Sequence, residues 1–125
     1  MAKVFRIIIP VSDIEKAAAF YRKLLVMEGE RVSPGRHYFD CEGVILACFD
    51  PRADGDDFDA VPNPGHIYLT MDDLEATHAR AMELNCPVSS IKRQAWGERS
   101  FYTEDPFGNP LCFVERTTEF KGRGG

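Results

Sequence analysis

Two stretches of the chain share one pattern of hydrophobic and polar positions. In "FRIIIPVSDIEKAAAFYRKLL", an apolar run rich in β-formers precedes an acidic cap at Ser12-Asp13 and a helical pattern. In "GHIYLTMDDLEATHARAMEL", Asp73 stands before Leu74 as Asp13 stands before Ile14, an offset of 73 − 13 = 60 residues. Each stretch therefore predicts a strand followed by a capped helix. The apolar positions at helical spacing in the first are Ile14, Ala17, Ala18, Tyr21 and Leu25.

Short strands separated by turn residues follow each predicted helix. The first half contains "GERVS", "RHYFDC" and "VILACFD", and the second contains "PVSSIKR", "RSFYTE" and "PLCFVER". Each half is thus predicted to be a βαβββ module, which makes the fold α+β. We expect a single domain built from repeats at about 1–60 and 64–118, with residues 119–125 as a flexible tail.

The segment between the repeats, "PRADGDDFDAVPNPG", is rich in Asp, Gly and Pro. An EF-hand calcium loop that began at Asp50 would have Asp54 and Gly55 in place. However, Arg52 stands where an acid is needed and Val61 replaces the final Glu. The pattern therefore favours a solvated or mobile linker over a calcium site.

Composition narrows the class of protein. A chain of 125 residues with 44% hydrophobic residues suits one domain with a real core. The net charge of −5, without a face of clustered Lys and Arg, argues against nucleic-acid binding. No apolar run approaches the roughly 18 residues needed to span a bilayer, so we predict no membrane partner and a cytoplasmic location.

The reactive residue types form no familiar catalytic motif. The four cysteines show no C-x-x-C spacing, which indicates reduced, buried thiols rather than disulfides or a zinc site. There is no P-loop, no H-E-x-x-H and no G-x-S-x-G, and only three histidines are available for a triad. Catalytic residues therefore stay unassigned.

The repeats, together with "WGERSFYTEDPFGNPLCFVE", resemble the vicinal oxygen chelate superfamily, which includes glyoxalases, extradiol dioxygenases and bleomycin-resistance proteins. The D-P-x-G-N-P segment is the most specific part of the resemblance, which covers nearly the whole chain. It implies a curved, partly open mixed β-sheet with the helices on the outside. The fold hosts many activities, so function depends on the site.

In metal-dependent members, the resemblance implies four inward ligands, and the matching positions here are Arg6, Leu46, His66 and Cys112. Arg6 is a permanent cation without a lone pair, and Leu46 offers no donor. Two remaining donors are too few for a divalent ion. Glu115 lies three residues past Cys112 and should point to the opposite face. We therefore predict no metal and no other cofactor.

These residues favour a small-molecule-binding protein that sequesters an aromatic or anionic compound without catalysis. The alternative is a superfamily enzyme, a lyase, isomerase or dioxygenase, that uses a metal or the pair Arg6 and His66. Relatives of this length commonly pair, so a homodimer is expected. The predicted ligand-binding residues are Arg6, His66, Tyr68, Trp96, Tyr102 and Cys112.

Several of these residues have a second interpretation. Cys112 either packs as a small apolar side chain in the wall of the predicted ligand cavity or, with an activating base, acts as a nucleophile. His66 is a ligand contact or a hydrogen-bonded core histidine, and Trp96 is a contact or a packing anchor. His78 is read as a helix-surface residue.

Arg6 also has two interpretations. It anchors an anionic group of the ligand, or it forms an ion pair with a loop acid such as Asp50 or Glu104.

Overall fold

Two βαβββ modules follow one another along the chain in the computed structural model, which describes residues 1–122. The first contains β1 (Arg6–Pro10), α1 (Ile14–Leu25), β2 (Glu30–Ser33), β3 (Arg36–Cys41) and β4 (Val44–Phe49). The second contains β5 (Ile67–Met71), α2 (Leu74–Glu83), β6 (Lys92–Arg93), β7 (Arg99–Glu104) and β8 (Pro110–Glu115), followed by a 3₁₀ helix (Arg116–Thr118). The predicted pair of modules in an α+β fold is confirmed.

The two helices begin at the predicted caps. The Asp13 carboxylate accepts a hydrogen bond from the Lys16 amide at 3.1 Å, and Asp73 accepts one from the Ala76 amide at 3.0 Å. Each bond satisfies a backbone donor that the first turn of a helix leaves free. All five apolar positions predicted for α1 are buried.

The chain divides into two compact units, each with one module. The first unit holds residues 1–63 and the turn Pro106–Asn109, and the second holds residues 64–105 and 110–122. The first unit has a four-stranded mixed sheet in the order β1-β4-β3-β2, with β1 parallel to β4. The second repeats this arrangement as β5-β8-β7-β6.

Register decides which residues of the first sheet share a face, because side chains alternate along each strand. One face carries two cross-strand rows, Arg6–Ile45–Asp40 and Ile8–Ala47–Tyr38. The opposite face carries buried residues that pack with α1, among them Ile9, Phe39, Leu46 and Cys48.

The second sheet has the same division. Its open face carries the rows Tyr68–Cys112–Tyr102 and Thr70–Val114–Ser100. The other face packs with α2 through Phe101, whose ring lies 5.5 Å from that of Phe113 and 4.8 Å from that of His78.

One predicted strand is interrupted. The sequence predicts a strand over 87–93, whereas β6 contains only Lys92–Arg93, and Val88 makes a single bridge to Thr103. Between them, the Ser89 hydroxyl accepts the Tyr102 amide at 2.8 Å, while the Ser89 amide donates to the Tyr102 carbonyl. A serine side chain thus takes the place of a backbone acceptor and ends the ladder.

Asp50 and Asp54, two acids of the possible calcium loop, are bonded to protein donors, which argues against the calcium interpretation. Asp50 accepts the amides of Ile14 and Ala53, at 3.3 and 3.2 Å. Asp54 accepts the Ser33 hydroxyl at 2.7 Å and the Gly35 amide at 2.8 Å, and these bonds hold the pKa of its carboxyl below the ordinary value. This part of the linker is therefore an ordered loop.

The D-P-F-G-N turn contributes a buried clamp to the first unit. The Asn109 side chain is fully buried; its amide nitrogen donates to the Pro10 carbonyl at 2.7 Å, and its oxygen accepts the Asn63 amide at 2.8 Å. These bonds join the end of β1 to the end of the linker.

The predicted tail at 119–125 is partly described. The Phe120 amide donates to Glu98 at 3.0 Å, so this part of the tail is attached to the second unit. Residues 123–125 lie outside the described residues. In the part of the chain that the structure describes, neither helix is long and apolar enough to cross a membrane.

Replacing Asn109 with Ala should lower the free energy of unfolding by about 2–4 kcal/mol, because two part-buried backbone groups lose their partners and a fully buried side chain is removed. Chemical denaturation measures the change. Asn63→Ala is the matched control: it removes only the exposed bond from the Asn63 side chain to the Ile8 carbonyl, and should cost under about 1 kcal/mol. Equal losses in the two variants would contradict the clamp.

Candidate functional site

Arg6 lies on the open face of the first sheet without an ion-pair partner among the described residues of its unit. Its guanidinium stacks instead over two aromatic rings, 4.8 Å from the centroid of Phe5 and 5.3 Å from that of Tyr38. Asp50, one predicted partner, is buried and bonded to backbone amides, so that alternative is wrong. Pairing with Glu104, which belongs to the second unit, stays a prediction.

A second arginine on the same face is neutralised. The Arg36 guanidinium pairs with Asp54 at 3.3 Å and lies 4.2 Å from the centroid of Phe49. Its other contact is a long bond of 3.4 Å to the Tyr38 hydroxyl. Arg6 and Arg36 therefore differ in kind, because only Arg36 has a carboxylate to balance its charge within the unit.

An open cleft of about 400 Å³ lies on this face, between the sheet and the segment that joins α1 to β2. Arg6 stands at its border, since its guanidinium covers Tyr38 and its backbone pairs with Ile45. The cleft is lined by Met27, Glu28, Gly29, Glu30, Val32, Tyr38, Asp40 and Ile45. Three of these eight residues are acids, Glu28, Glu30 and Asp40, and most of the others are apolar or aromatic. A concave surface of apolar side chains with some polar groups is a common form of small-molecule site.

In the second unit, four of the predicted residues lie together. Tyr68 and Tyr102 flank Cys112 on either side in the register, and the His66 ring lies 5.0 Å from that of Tyr102 and 6.4 Å from that of Tyr68. His66 is exposed, which excludes the core-histidine interpretation. Tyr68 is 60% exposed and offers an aromatic surface, whereas Cys112 is buried beneath it.

Trp96 adjoins this group through Glu98. Its indole N–H donates to the Glu98 carboxylate at 2.8 Å, and the side chain is half exposed, so it is not a core packing anchor. Glu98 in turn acts electrostatically on Tyr102 and Cys112. Burial raises the pKa of the Tyr102 hydroxyl, and the neighbouring Cys112, Tyr68 and Glu98 add to the rise.

The third histidine has a structural role. His78 bonds the Ser89 carbonyl at 2.9 Å and packs on Phe101. The simple helix-surface interpretation therefore missed its contacts with the second sheet.

Comparison with known proteins places these observations in a family. A family model described as "Glyoxalase/Bleomycin resistance protein/Dioxygenase superfamily" matches residues 3–113. The chain belongs to this superfamily. That result confirms the resemblance seen in the repeats and in the D-P-x-G-N-P segment.

Solved structures of the superfamily are similar over nearly the whole chain. A lactoylglutathione lyase from Agrobacterium tumefaciens is 25% identical, with a TM-score of 0.73 and coverage of 92% of this chain and 94% of that one. A superfamily member from Sphaerobacter thermophilus is also 25% identical, with a TM-score of 0.69 and coverage of 92% and 98%. A third, from Alicyclobacillus acidocaldarius, is 26% identical, with a TM-score of 0.65 and coverage of 90% of each chain.

The register corrects one of the four positions that the resemblance aligned with metal ligands. Leu46 lies opposite Ile7 and Phe39 on the helix side of its sheet. In the second sheet, Cys112 pairs with Tyr68. The 60-residue offset between the repeats makes Ile8 the equivalent of Tyr68, and Ile8 pairs with Ala47 in the first sheet. Ala47 is therefore the β4 residue that corresponds to Cys112, and it lies on the same sheet face as Arg6.

The corrected set still lacks the donors that a divalent metal needs. Arg6 has no lone pair and Ala47 has no donor, which leaves His66 and the protonated thiol of Cys112. Glu115 is paired with Arg99 at 2.7 Å on the helix side, as its spacing predicted. Within residues 1–122, no three His, Cys, Asp or Glu side chains converge on a possible ion position. These residues do not fit the metal of metal-dependent relatives.

Cys112 has the properties of a packed thiol rather than a nucleophile. Burial raises its pKa to about 11, a hydrogen bond with Ser100 opposes that rise, and the charge of Glu98 adds to it. A reactive cysteine needs the opposite shift, because the thiolate is the nucleophile. The environment of Cys112 therefore fits a packed side chain in the wall of the site better than it fits a nucleophile.

Sequence reasoning missed part of this site. The predicted ligand-binding residues did not include Tyr38, Glu30, Asp40, Glu98 or Ser100. Alternation along β3 and β7 could have found Asp40 and Ser100, because each lies two residues from a tyrosine of the open face. Glu30 and Glu98 follow glycines in the left-handed conformation, and their positions depend on those turns.

We predict that Cys112 of the folded protein resists iodoacetamide at pH 8, because a pKa of about 11 leaves about one thiol in a thousand ionised. Peptide mass spectrometry measures the labelling, and the urea-unfolded chain serves as the reactive control. Labelling of folded Cys112 at the rate of the unfolded chain would contradict the buried-thiol assignment.

We further predict that the purified protein carries no stoichiometric divalent metal, because Arg6 and Ala47 stand at two of the ligand positions. Elemental analysis after mild purification tests this. About one zinc, nickel, iron or manganese per chain, lost in His66→Ala, would show that the ligand positions are wrong.

Proposed function

We propose that this superfamily member binds a small molecule with an anionic group on an aromatic or apolar body and holds it without converting it. The observation that carries the proposal is the guanidinium of Arg6, which has no ion-pair partner among the described residues of its unit and borders a cleft on an aromatic-lined sheet face. A guanidinium cannot lose its charge at neutral pH, so a bound anion is a natural counter-charge.

The geometry of Arg6 suits a planar anion. Its fork of N–H donors matches a carboxylate in two parallel hydrogen bonds, and both partners carry charge, which strengthens the bonds. The rings of Phe5 and Tyr38 hold the guanidinium by cation–π contact and leave its N–H edge free to donate. Tyr38, Val32 and Ile45 offer apolar surface to the body of the ligand.

The described residues supply little acid–base chemistry. Cys112 and Tyr102 both have raised pKa values, so both stay protonated at neutral pH. A guanidinium does not act as an acid or a base in proteins. The remaining candidates are His66 in the second unit and the carboxylates of the cleft, Glu28, Glu30 and Asp40. Among the described residues, Cys112 beside His66 is a protonated thiol and not an activated nucleophile. These features support binding without turnover.

An enzyme remains the second candidate, because one relative with 25% identity is a lactoylglutathione lyase. A lactoylglutathione lyase assay, with and without added zinc or nickel, distinguishes the two candidates. Turnover that disappears in His66→Gln would support the enzyme. Absence of turnover together with ligand binding would support sequestration.

Replacing Arg6 with Ala should weaken binding of 4-methylbenzoate by about 10–150-fold, which corresponds to about 1.5–3 kcal/mol for a charged hydrogen bond. Calorimetry at low salt measures the affinity. The melting temperature should change little, because Arg6 is exposed and has no ion pair within its unit.

Arg52→Ala provides the matched control, since it removes another exposed arginine of the same unit, one that is paired with Asp57 and Asp59. It should leave the affinity unchanged. A neutral analogue, 4-methylbenzamide, should bind weakly and without dependence on Arg6. Unchanged 4-methylbenzoate binding in Arg6→Ala, or a loss of stability alone, would refute the anchor.

A further inference from the structure

The cleft of the first unit has a charged group at each side. Arg6 stands at one border, whereas Glu30 lines the cleft on the edge strand β2. Tyr38 lies between them, because the strand order is β1-β4-β3-β2 and Glu30 pairs directly with Tyr38. A cation, an aromatic ring and a carboxylate therefore follow one another across the sheet face.

The carboxylates of the cleft differ in what they already bind. Glu28 pairs with Arg22 at 3.5 Å, and one oxygen of Asp40 accepts the Gly43 amide at 2.7 Å. Glu30 has no hydrogen bond or ion pair through its carboxylate among the described residues of the first unit. Glu30, with the second oxygen of Asp40, is thus available to a ligand.

Arg6 and Glu30 are too far apart along the sheet to neutralise each other. Their strands are separated by three strand spacings, about 14 Å between backbones. The Arg6 side chain covers part of this span and ends over Tyr38. Tyr38 stands on the strand next to Glu30, between the two charges, which suits a ligand whose two charged ends lie on opposite sides of one aromatic ring.

From this arrangement we infer that the cleft selects dipolar ligands, with an anionic group at Arg6, an aromatic body on Tyr38 and a primary ammonium group at Glu30 and Asp40. The inference rests on the proposed function and adds a second charge to the ligand. A simple anion provides no positive charge for the Glu30 carboxylate, and a dicarboxylate places a second negative charge beside it. A simple cation leaves Arg6 without a counter-charge.

Three probes with the same ring test this inference. They are 4-(aminomethyl)benzoate, which is dipolar, 4-methylbenzoate, which is anionic, and 4-methylbenzylamine, which is cationic. We expect the dipolar probe to bind about 3–10-fold more tightly than 4-methylbenzoate at low salt, a modest gain because both carboxylates are exposed. The cationic probe should bind most weakly.

Glu30→Gln removes the carboxylate while keeping the shape of the side chain. In this variant the two probes that carry a carboxylate should bind with nearly equal affinity, and binding of 4-methylbenzoate should stay the same or tighten slightly. Glu83→Gln, which removes an exposed charge from α2, should keep the full preference for the dipolar probe.

The outcomes separate this inference from the proposed function. If 4-methylbenzoate binds through Arg6 as tightly as the dipolar probe, the dipolar inference is wrong and the proposed function stands. If 4-methylbenzylamine binds best and Arg6→Ala has no effect on any probe, both are wrong. Absence of binding by all three probes at millimolar concentration would also count against both.

Discussion

Each sheet buries one face under a single helix, and the rest of the architecture depends on this burial. Strand alternation then assigns every other side chain to the opposite face. In the first unit the core includes Ile9, Phe39 and Leu46, so Arg6 and Tyr38 must share the other side. The same rule places Tyr68, Tyr102 and Cys112 together in the second unit. The candidate site is therefore a consequence of packing the core.

The features of the fold that rest on local chemistry could be predicted from the sequence. Asp13 and Asp73 cap their helices because a carboxylate before an apolar helical pattern accepts the free amides of the first turn. The strands "RHYFDC" and "RSFYTE" have the predicted bounds, since turn residues flank them on both sides. The βαβββ order of each half followed from the same strand, helix and turn patterns, and it is the observed order.

Features that depend on register or on a single side chain could not be predicted in this way. The position of Leu46 was wrong because the pairing of β1 with β4 depends on tertiary contacts. The strand over 87–93 was too long because the Ser89 hydroxyl replaced a backbone acceptor. The cleft was missed because its wall depends on Gly29, which has a φ of +68° and packs against His37, where a Cβ would lie 2.7 Å from the ring nitrogen.

The superfamily can place metal ligands on such sheet faces, and this chain places other chemistry there. At two of the aligned ligand positions, Arg6 contributes a fixed positive charge and Ala47 contributes only packing. The buried thiol of Cys112 stays protonated at neutral pH. Arg6 and Arg36 supply positive charge on the first sheet face, beside the aromatic rings of Tyr38 and Phe49.

The central claim is that Arg6 contacts the anionic group of the ligand. Side-chain NMR of the arginine Nε–H groups, recorded during titration with 4-methylbenzoate, tests it most directly. The account predicts that the Arg6 resonance shifts in a saturable manner with the affinity measured for the ligand, while that of Arg52 stays in place. A stationary Arg6 resonance, with the ligand bound and other resonances shifting, would contradict it.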